Sequence, residues 1–345
     1  MHGPAVRQPF RIGGLSIMFI LTLALLLTAA CGEQGSAKDE KGGVTKTLRT
    51  PWSTAYMAIG AGSLWLANDG EPYGITRVDL AKSEVVAQIE VSGDPRSCDL
   101  CSPQAVDASG RQVWFTDRAT KSVSRIDPET DRIVESIPVG FRVYDIAIDG
   151  DTLWLTGVEE NLVARVDTDK KQIVGRIDDI YGPTGVVVGG GSVWVMGHRA
   201  GDLVRIDPQT SKIVEKIPLG ISSTPEGLGF GEGGVWTTDL ASWSVSHFDP
   251  KTSEGVAEID AGMEMFAVDA GDGSVWATGQ PSGCEKGKKG ILVRIDPTTD
   301  KVVGRTKIPC AYGVAVTDDA VWVNGNVKKE GKWAGGLVRV EPPPR

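Results

Sequence analysis

Residues Arg111–Gly140 read RQVWFTDRATKSVSRIDPETDRIVESIPVG, and the remainder of the chain repeats this stretch. A short strand is expected around Trp114, followed by a polar turn. A second strand ends in Arg125-Ile126-Asp127, and a Pro-Glu-Thr-Asp turn leads to a third over Ile133–Val139. Val, Ile, Phe and Trp dominate runs of four to eight residues in which apolar and polar positions alternate or cluster, the pattern of half-buried strands. The turns carry Asp, Pro, Thr and Gly, residues that preset φ or bond their own backbone. Helical spacing is absent.

The tryptophan returns at Trp65, Trp154, Trp194, Trp236, Trp276 and Trp322, in steps of 49, 40, 40, 42, 40 and 46 residues counted from Trp65 through Trp114. The aspartate keeps step at Asp79, Asp127, Asp167, Asp207, Asp249 and Asp296, with Glu341 in the seventh place. A fourth strand precedes each tryptophan, as in Tyr144–Ile148, Thr184–Val188 and Tyr312–Val316. Seven units of about 40–45 residues with four strands each predict an all-β, seven-bladed propeller. Within a blade the strands are A (innermost), B (tryptophan), C (Arg-Ile-Asp) and D (Ile-Val).

The seventh unit runs out after Leu337–Glu341 into Pro342-Pro343-Pro344 and lacks its D strand. The missing strand is expected at the other terminus, Val44–Pro51, which would join the ends of the ring and cover an open sheet edge. The propeller domain is thus expected to span residues 44–345.

Residues 1–30 do not share the repeat. Arg7 and Arg11 precede sixteen mostly apolar residues, Leu15–Ala30, too short a run for an ordinary spanning helix. The segment closes in Leu-Thr-Ala-Ala before Cys31 and resembles a bacterial lipoprotein signal peptide, with Thr28 where that pattern carries an aliphatic residue. The resemblance implies lipidation at Cys31 and an extracytoplasmic protein held at the cell membrane. A plain secretory signal is the alternative. The polar, glycine-rich residues 31–43 read as a tether without a core.

The net charge is −9, and removal of residues 1–30, which hold two arginines and no acid, makes it −11. No basic stripe interrupts this, which argues against nucleic acid as a partner. A monomer is expected. With Cys31 lipidated, Cys98, Cys101, Cys284 and Cys310 remain, an even number for an oxidising compartment. The loop positions make Cys284–Cys310 and a local Cys98–Cys101 the expected bridges. The Cys98-Asp-Leu-Cys101 spacing also fits a redox or zinc pair, without two further ligands nearby.

The elements Ser124–Pro128, Leu203–Pro208, Val293–Pro297 and Ala311–Val316 resemble those of the YVTN-type and virginiamycin B lyase-like (streptogramin lyase-like) propellers, and the resemblance covers nearly all of Val44–Arg345. It implies architecture directly. For the lyases it also implies histidines and acids around a divalent metal on one face. Only His2, His198 and His247 are present, His2 lies in the signal segment, and His247 replaces the arginine found at Arg125, Arg165, Arg205 and Arg294. No catalytic residue of that family is carried over.

A site is expected where the D–A and B–C connections open. Trp52, Tyr56, Tyr73, Trp243 and Trp333 map there, as do Phe141, Tyr181 and the long loops Ser92–Pro103, Gln280–Gly290 and Asn326–Gly336. The residue ten before each tryptophan should ring the central channel: Ala55, Gln104, Tyr144, Thr184, Glu226, Phe266 and Tyr312, with His198 in a nearby B–C loop. These side chains either line a pocket or plug the channel. Asp69, Asp117, Asp145, Glu226 and Asp239 lie on the same face, where three converging carboxylates would hold a hard cation. No other cofactor is expected. Gly229–Gly234 matches G-x-G-x-x-G but precedes a strand, and so reads as a turn. The sequence therefore points to a surface-anchored propeller that binds or senses a protein, a glycan or a small ligand. A metal-dependent lyase and a structural scaffold are the alternatives.

Overall fold

Seven antiparallel sheets of four strands each form the seven repeats, with no helix among the described residues. The computed structural model describes residues 43–51, 53–68, 73–91, 103–220, 225–281, 289–329 and 332–342, with backbone alone at 53–55, 326–329 and 332–334. The signal segment, Cys31, Trp52, Asp69, Cys98, Cys101 and Cys284 lie outside them.

Blade three shows the plan: A is Asp145–Asp149, B Thr152–Gly157, C Leu162–Asp167 and D Gln172–Ile177, paired in that order. Strand A of each blade neighbours strand A of the next, including Ser53–Gly60 of blade one against Ala311–Val316 of blade seven, so the ring is closed. The D strand of blade seven is Gly43–Arg49, with Thr47 opposite Val338 and Leu48 opposite Leu337 of its C strand, Lys332–Glu341. The N-terminal strand thus completes the last blade.

One expected loop is instead a hairpin. Asn326–Gly336 extends strands B (Val321–Lys329) and C of blade seven, pairing Asn326 with Gly335 and Lys329 with Lys332. Paired strands satisfy backbone groups that a loop of that length would leave to solvent.

The recurrent residues explain themselves in packing. Each blade's tryptophan is buried in the core of the following blade. Trp154 packs with Val186, Val193, Val195 and Val204 of blade four, Trp65 with Val106, Val113 and Phe115 of blade two, and Trp322 with Leu64, Leu66 and Val78 of blade one. In three blades the indole N–H donates to the last carbonyl of the preceding A strand, as from Trp65 to Gly60 at 3.0 Å. The arginine opposite on strand C lies over the ring, 5.2 Å from its centroid for Arg77 on Trp65 and 5.9 Å for Arg165 on Trp154, a favourable cation–π placement. It then reaches the next blade's C–D turn: Arg77 donates to Asp131 at 2.7 Å and Arg165 to the Gln209 carbonyl at 3.3 Å. His247 takes this place in blade five, stacked on Trp236 at 4.0 Å with Nδ1 2.8 Å from Asp300, so its role is structural.

The repeat aspartate shapes the C–D turn. Asp127 accepts from the Glu129 N–H and the Thr130 hydroxyl, and Asp207 from the Gln209 N–H. These donors hold both carboxyls below the usual range. Each such turn ends on a residue with φ near +55°, such as Asp131 (54°) and Ser211 (55°), where short polar side chains are tolerated.

Trp154→Ala should cost about 3–5 kcal/mol, because it empties a site that two blades share. The denaturant midpoint checks this, and an unchanged midpoint would remove the tryptophan from the packing scheme.

Candidate functional site

The A strands of all seven blades line a central cavity of 1270 Å³ that runs the length of the strands, from Tyr56, Gln104 and Tyr144 at one end to Ile59, Ser109 and Ile148 at the other. Of the expected ring, Gln104, Tyr144, Thr184, Glu226, Phe266 and Tyr312 all border it, and so does His198. In blade one Tyr56 borders it, one residue after the expected Ala55, whose side chain lies outside the described set.

Local backbone aims these residues inward. The A–B register shifts between Pro103 and Val106, Pro183 and Val186, Pro225 and Leu228, Met265 and Ala267, and Ala311 and Gly313, so the mouth residues of these five blades sit at bulges, whereas blade three pairs in regular register and Tyr144 just precedes its strand A. A bulge bends the strand, re-aims a side chain and leaves an N–H without a ladder partner. A buried threonine two residues after the tryptophan accepts an N–H at the start of strand A in four blades, the unbulged blade three among them. Thr116 accepts from the Gln104 and Ala105 N–H groups, Thr156 from Asp145, Thr238 from Gly227, and Thr278 from Ala267. Two of them also donate onward to the next blade, Thr156 to the Thr184 carbonyl at 2.8 Å and Thr238 to the Phe266 carbonyl at 3.0 Å.

Three aspartates in the cavity wall clasp neighbouring blades. Each accepts the N–H of the following residue and an N–H of the next A strand: Asp107 from Ile148 at 2.7 Å, Asp145 from Val186 at 2.9 Å, and Asp269 from Val316 at 2.8 Å. Burial outweighs these donors and raises all three carboxyls, Asp145 to about 8 and Asp269 to about 6. The sequence carried the Trp-x-Thr signal for the threonine contact, and Asp107 and Asp269 each lie seven residues before a tryptophan. The clasps themselves require the register between blades.

At the mouth Tyr56 and Tyr144 meet edge to face at 6.0 Å with their hydroxyls hydrogen-bonded, and the Phe266 and Tyr312 rings meet edge to face at 6.1 Å. Burial first, then the Asp145 and Glu226 charges, pushes the Tyr56 hydroxyl up. Burial and then Glu226 raise Tyr144. The Glu226 side chain is open to the cavity, and its carboxyl is raised by desolvation against the opposing influence of His198. Across the mouth, Arg118 is 5% exposed, donates to Gln104 Oε1 at 3.0 Å and pairs with Glu159 at 3.3 Å. Its burial was not legible, since a charged B–C turn residue reads as solvated.

Other expected residues fall elsewhere. Asp117 and Asp239 are B–C turn acceptors, taking the Ala119 and Ala241 N–H groups. Among the described residues no group of three or more His, Cys, Asp or Glu is arranged to hold a metal ion. Phe141 is 3% exposed and belongs to the apolar core. Tyr73 is half-buried, and the Trp333 side chain lies outside the described set. Tyr181 is 57% exposed beneath Arg199, and Trp243 is 50% exposed at φ 59°, where the equivalent turns of blades two to four hold Lys121, Asn161 and Gly201. A bulky residue in this left-handed region is strained by about 1–2 kcal/mol. Cys310 immediately precedes strand A of blade seven and is 2% exposed.

No family model and no curated protein matches the sequence. Solved structures share the fold. A streptogramin B lyase aligns with TM-score 0.69 at 14% identity over 86% of this chain and 98% of its own. The virginiamycin B lyase of Staphylococcus aureus gives 0.67 at 14% identity over 86% and 99%. A chain of the mitotic checkpoint complex gives 0.69 at 10% identity over 93% and 98%. The chain is therefore similar to these in fold, a seven-bladed β-propeller.

The clasps set a pH dependence. Because the folded carboxyls lie above the unfolded value near 4, the native ring holds extra protons, and their contribution is lost as pH rises toward about 8. The denaturant midpoint should fall across that window, and Asp145→Asn should flatten the slope. An unaltered slope in the variant would take Asp145 out of the linkage.

Proposed function

We propose that this protein is an extracytoplasmic binding or sensing propeller that takes its ligand at the channel mouth. The observation that carries the reading is the cavity itself. Six residues at one register of six different blades, of five chemical types, border the same 1270 Å³ space. Concave, largely apolar sites with a few placed polar groups are where small ligands and protruding parts of larger ones bind. Lipidation of Cys31 and attachment to the membrane surface belong to this proposal and rest on the sequence pattern, as does a Cys284–Cys310 bridge steadying the blade-six loop beside the mouth.

A second reading is a lyase of the kind carried by the similar solved structures, with His198 and Glu226 as an acid–base pair. The sharing of the mouth by these two residues is the observation on its side.

A thermal-shift screen of sugars, cell-wall fragments, peptides and macrolactone antibiotics tests the binding reading, because a ligand of the native state raises the midpoint by mass action. A shift that disappears in Tyr144→Leu supports it. Shifts indifferent to that variant place binding elsewhere, and breakdown of a macrolactone during the assay replaces the reading with the lyase. For the anchor, Cys31→Ser should move the protein from the membrane fraction to the soluble fraction. Retention in the membrane fraction would reject lipidation as the attachment.

A further inference from the structure

We propose that the ligand held at the mouth carries an organic cation, an alkylammonium group, with Glu226 as its counter-ion and aromatic rings as its walls. This deepens the binding reading and rests on it.

The charges facing the cavity differ in what they already have. Asp107, Asp145 and Asp269 each accept two backbone N–H groups. Arg118 has Glu159 and Gln104. Arg199, at the rim, lies over Tyr181 with its centroid distance at 5.8 Å and donates to the Val158 carbonyl at 3.4 Å. The Glu226 carboxylate has no hydrogen bond or ion pair among the described residues, although its surroundings strip enough water from it to raise its pKa.

The nearest titratable neighbour does not supply the missing donor. His198 Nδ1 lies 2.6 Å from the Pro225 carbonyl oxygen. A carbonyl only accepts, so Nδ1 carries a proton that is committed to Pro225 and not to Glu226. A partly desolvated carboxylate without a donor is unfavourable until a positive group arrives.

The walls select the kind of cation. Tyr56, Tyr144, Phe266 and Tyr312 stand around the same mouth in two edge-to-face pairs. Such pairs leave ring faces uncovered, and those faces attract a poorly hydrated cation. A hard metal ion demands several oxygen ligands, and Glu226 is the one carboxylate here without other donors. Glu226 is also held beside the Phe266 wall. A Cβ on Gly227 would come within 2.6 Å of the Phe266 carbonyl oxygen, so the A strands of blades five and six approach more closely than a side chain there permits. Thr238 ties the same two residues, accepting from Gly227 at 2.7 Å and donating to Phe266 at 3.0 Å.

Isothermal titration of the full chain tests the proposal with choline, with butylammonium, and with the uncharged choline analogue in which carbon replaces nitrogen. At least one cation should bind, and the uncharged analogue should bind about tenfold or more weakly. Glu226→Gln, confirmed as folded by its denaturant midpoint, should weaken the cation by about tenfold while leaving the uncharged analogue unchanged. Phe266→Leu should weaken both. Equal binding of choline and its analogue, indifference to Glu226→Gln, or binding of neither cation overturns the proposal. In those cases a screening ligand whose shift is lost in Tyr144→Leu would leave the mouth standing as a binding site, and the absence of any such ligand would remove both readings.

Discussion

The ring depends on one contact made repeatedly, the tryptophan of each blade buried among the valines, leucines and isoleucines of the next. A four-stranded blade is a sheet with two apolar faces and no means of covering either. Placing the largest side chain of one blade in the core of its neighbour covers a face of each. Trp322 lands among Leu64, Leu66 and Val78, so the last repeat is finished by the first. The pairing of Gly43–Arg49 with Lys332–Glu341 acts in the same sense at the rim, where it covers an edge that blade seven would otherwise expose. Packing at the middle of the blades and hydrogen bonding at their outer edge thus close the circle at the same place.

Closure brings the A strands together and makes a polar problem of the channel. Bulges and strand starts there leave N–H groups without ladder partners, and the chain answers with buried Thr116, Thr156, Thr238 and Thr278 inside the blades and with Asp107, Asp145 and Asp269 between them. The aspartate solution carries its own cost, since each carboxylate is removed from much of its water, and Asp145 gives up its proton only near pH 8. The wall of the channel is consequently less charged at neutral pH than its composition suggests. Glu226 stands out against that background.

The fold was legible because its recurring residues act through local rules. Trp, Arg-Ile-Asp and the turn residues recur at fixed offsets, and the aspartate's turn is set within four residues of chain, as Asp127 with Glu129 and Thr130 illustrates. The position of the mouth followed from the same count. What escaped the count depends on how one blade is registered against another. Asp117 and Asp239 look like Asp145 in sequence, yet two accept from turns and one clasps a neighbour. Arg118 looks solvated until Gln104 and Glu159 are seen to enclose it. The extended hairpin of blade seven reads as a loop in sequence because its glycines and lysines carry weak strand preference, which the cross-strand pairing overrides.

The register at the mouth separates what the ring needs from what the mouth can vary. Of the residues bordering the mouth, Tyr56 packs against an apolar core cluster, whereas Tyr144, Thr184, Glu226, Phe266 and Tyr312 belong to none. A substitution at those positions leaves the interlocked tryptophans in place and changes the chemistry presented to the channel. The flanking residues repeat because they are held by packing between blades, and the mouth residues differ because packing does not choose them. Blades five and six show how a chosen pair is then fixed. Gly227 lets two backbones approach, Thr238 bonds across them, and the strand positions of Glu226 and Phe266 are fixed against each other without drawing on the core. The ring supplies rigidity to that pair through backbone and threonine contacts, and the cost of holding a partly desolvated carboxylate there falls on the mouth and not on the interlocked tryptophans.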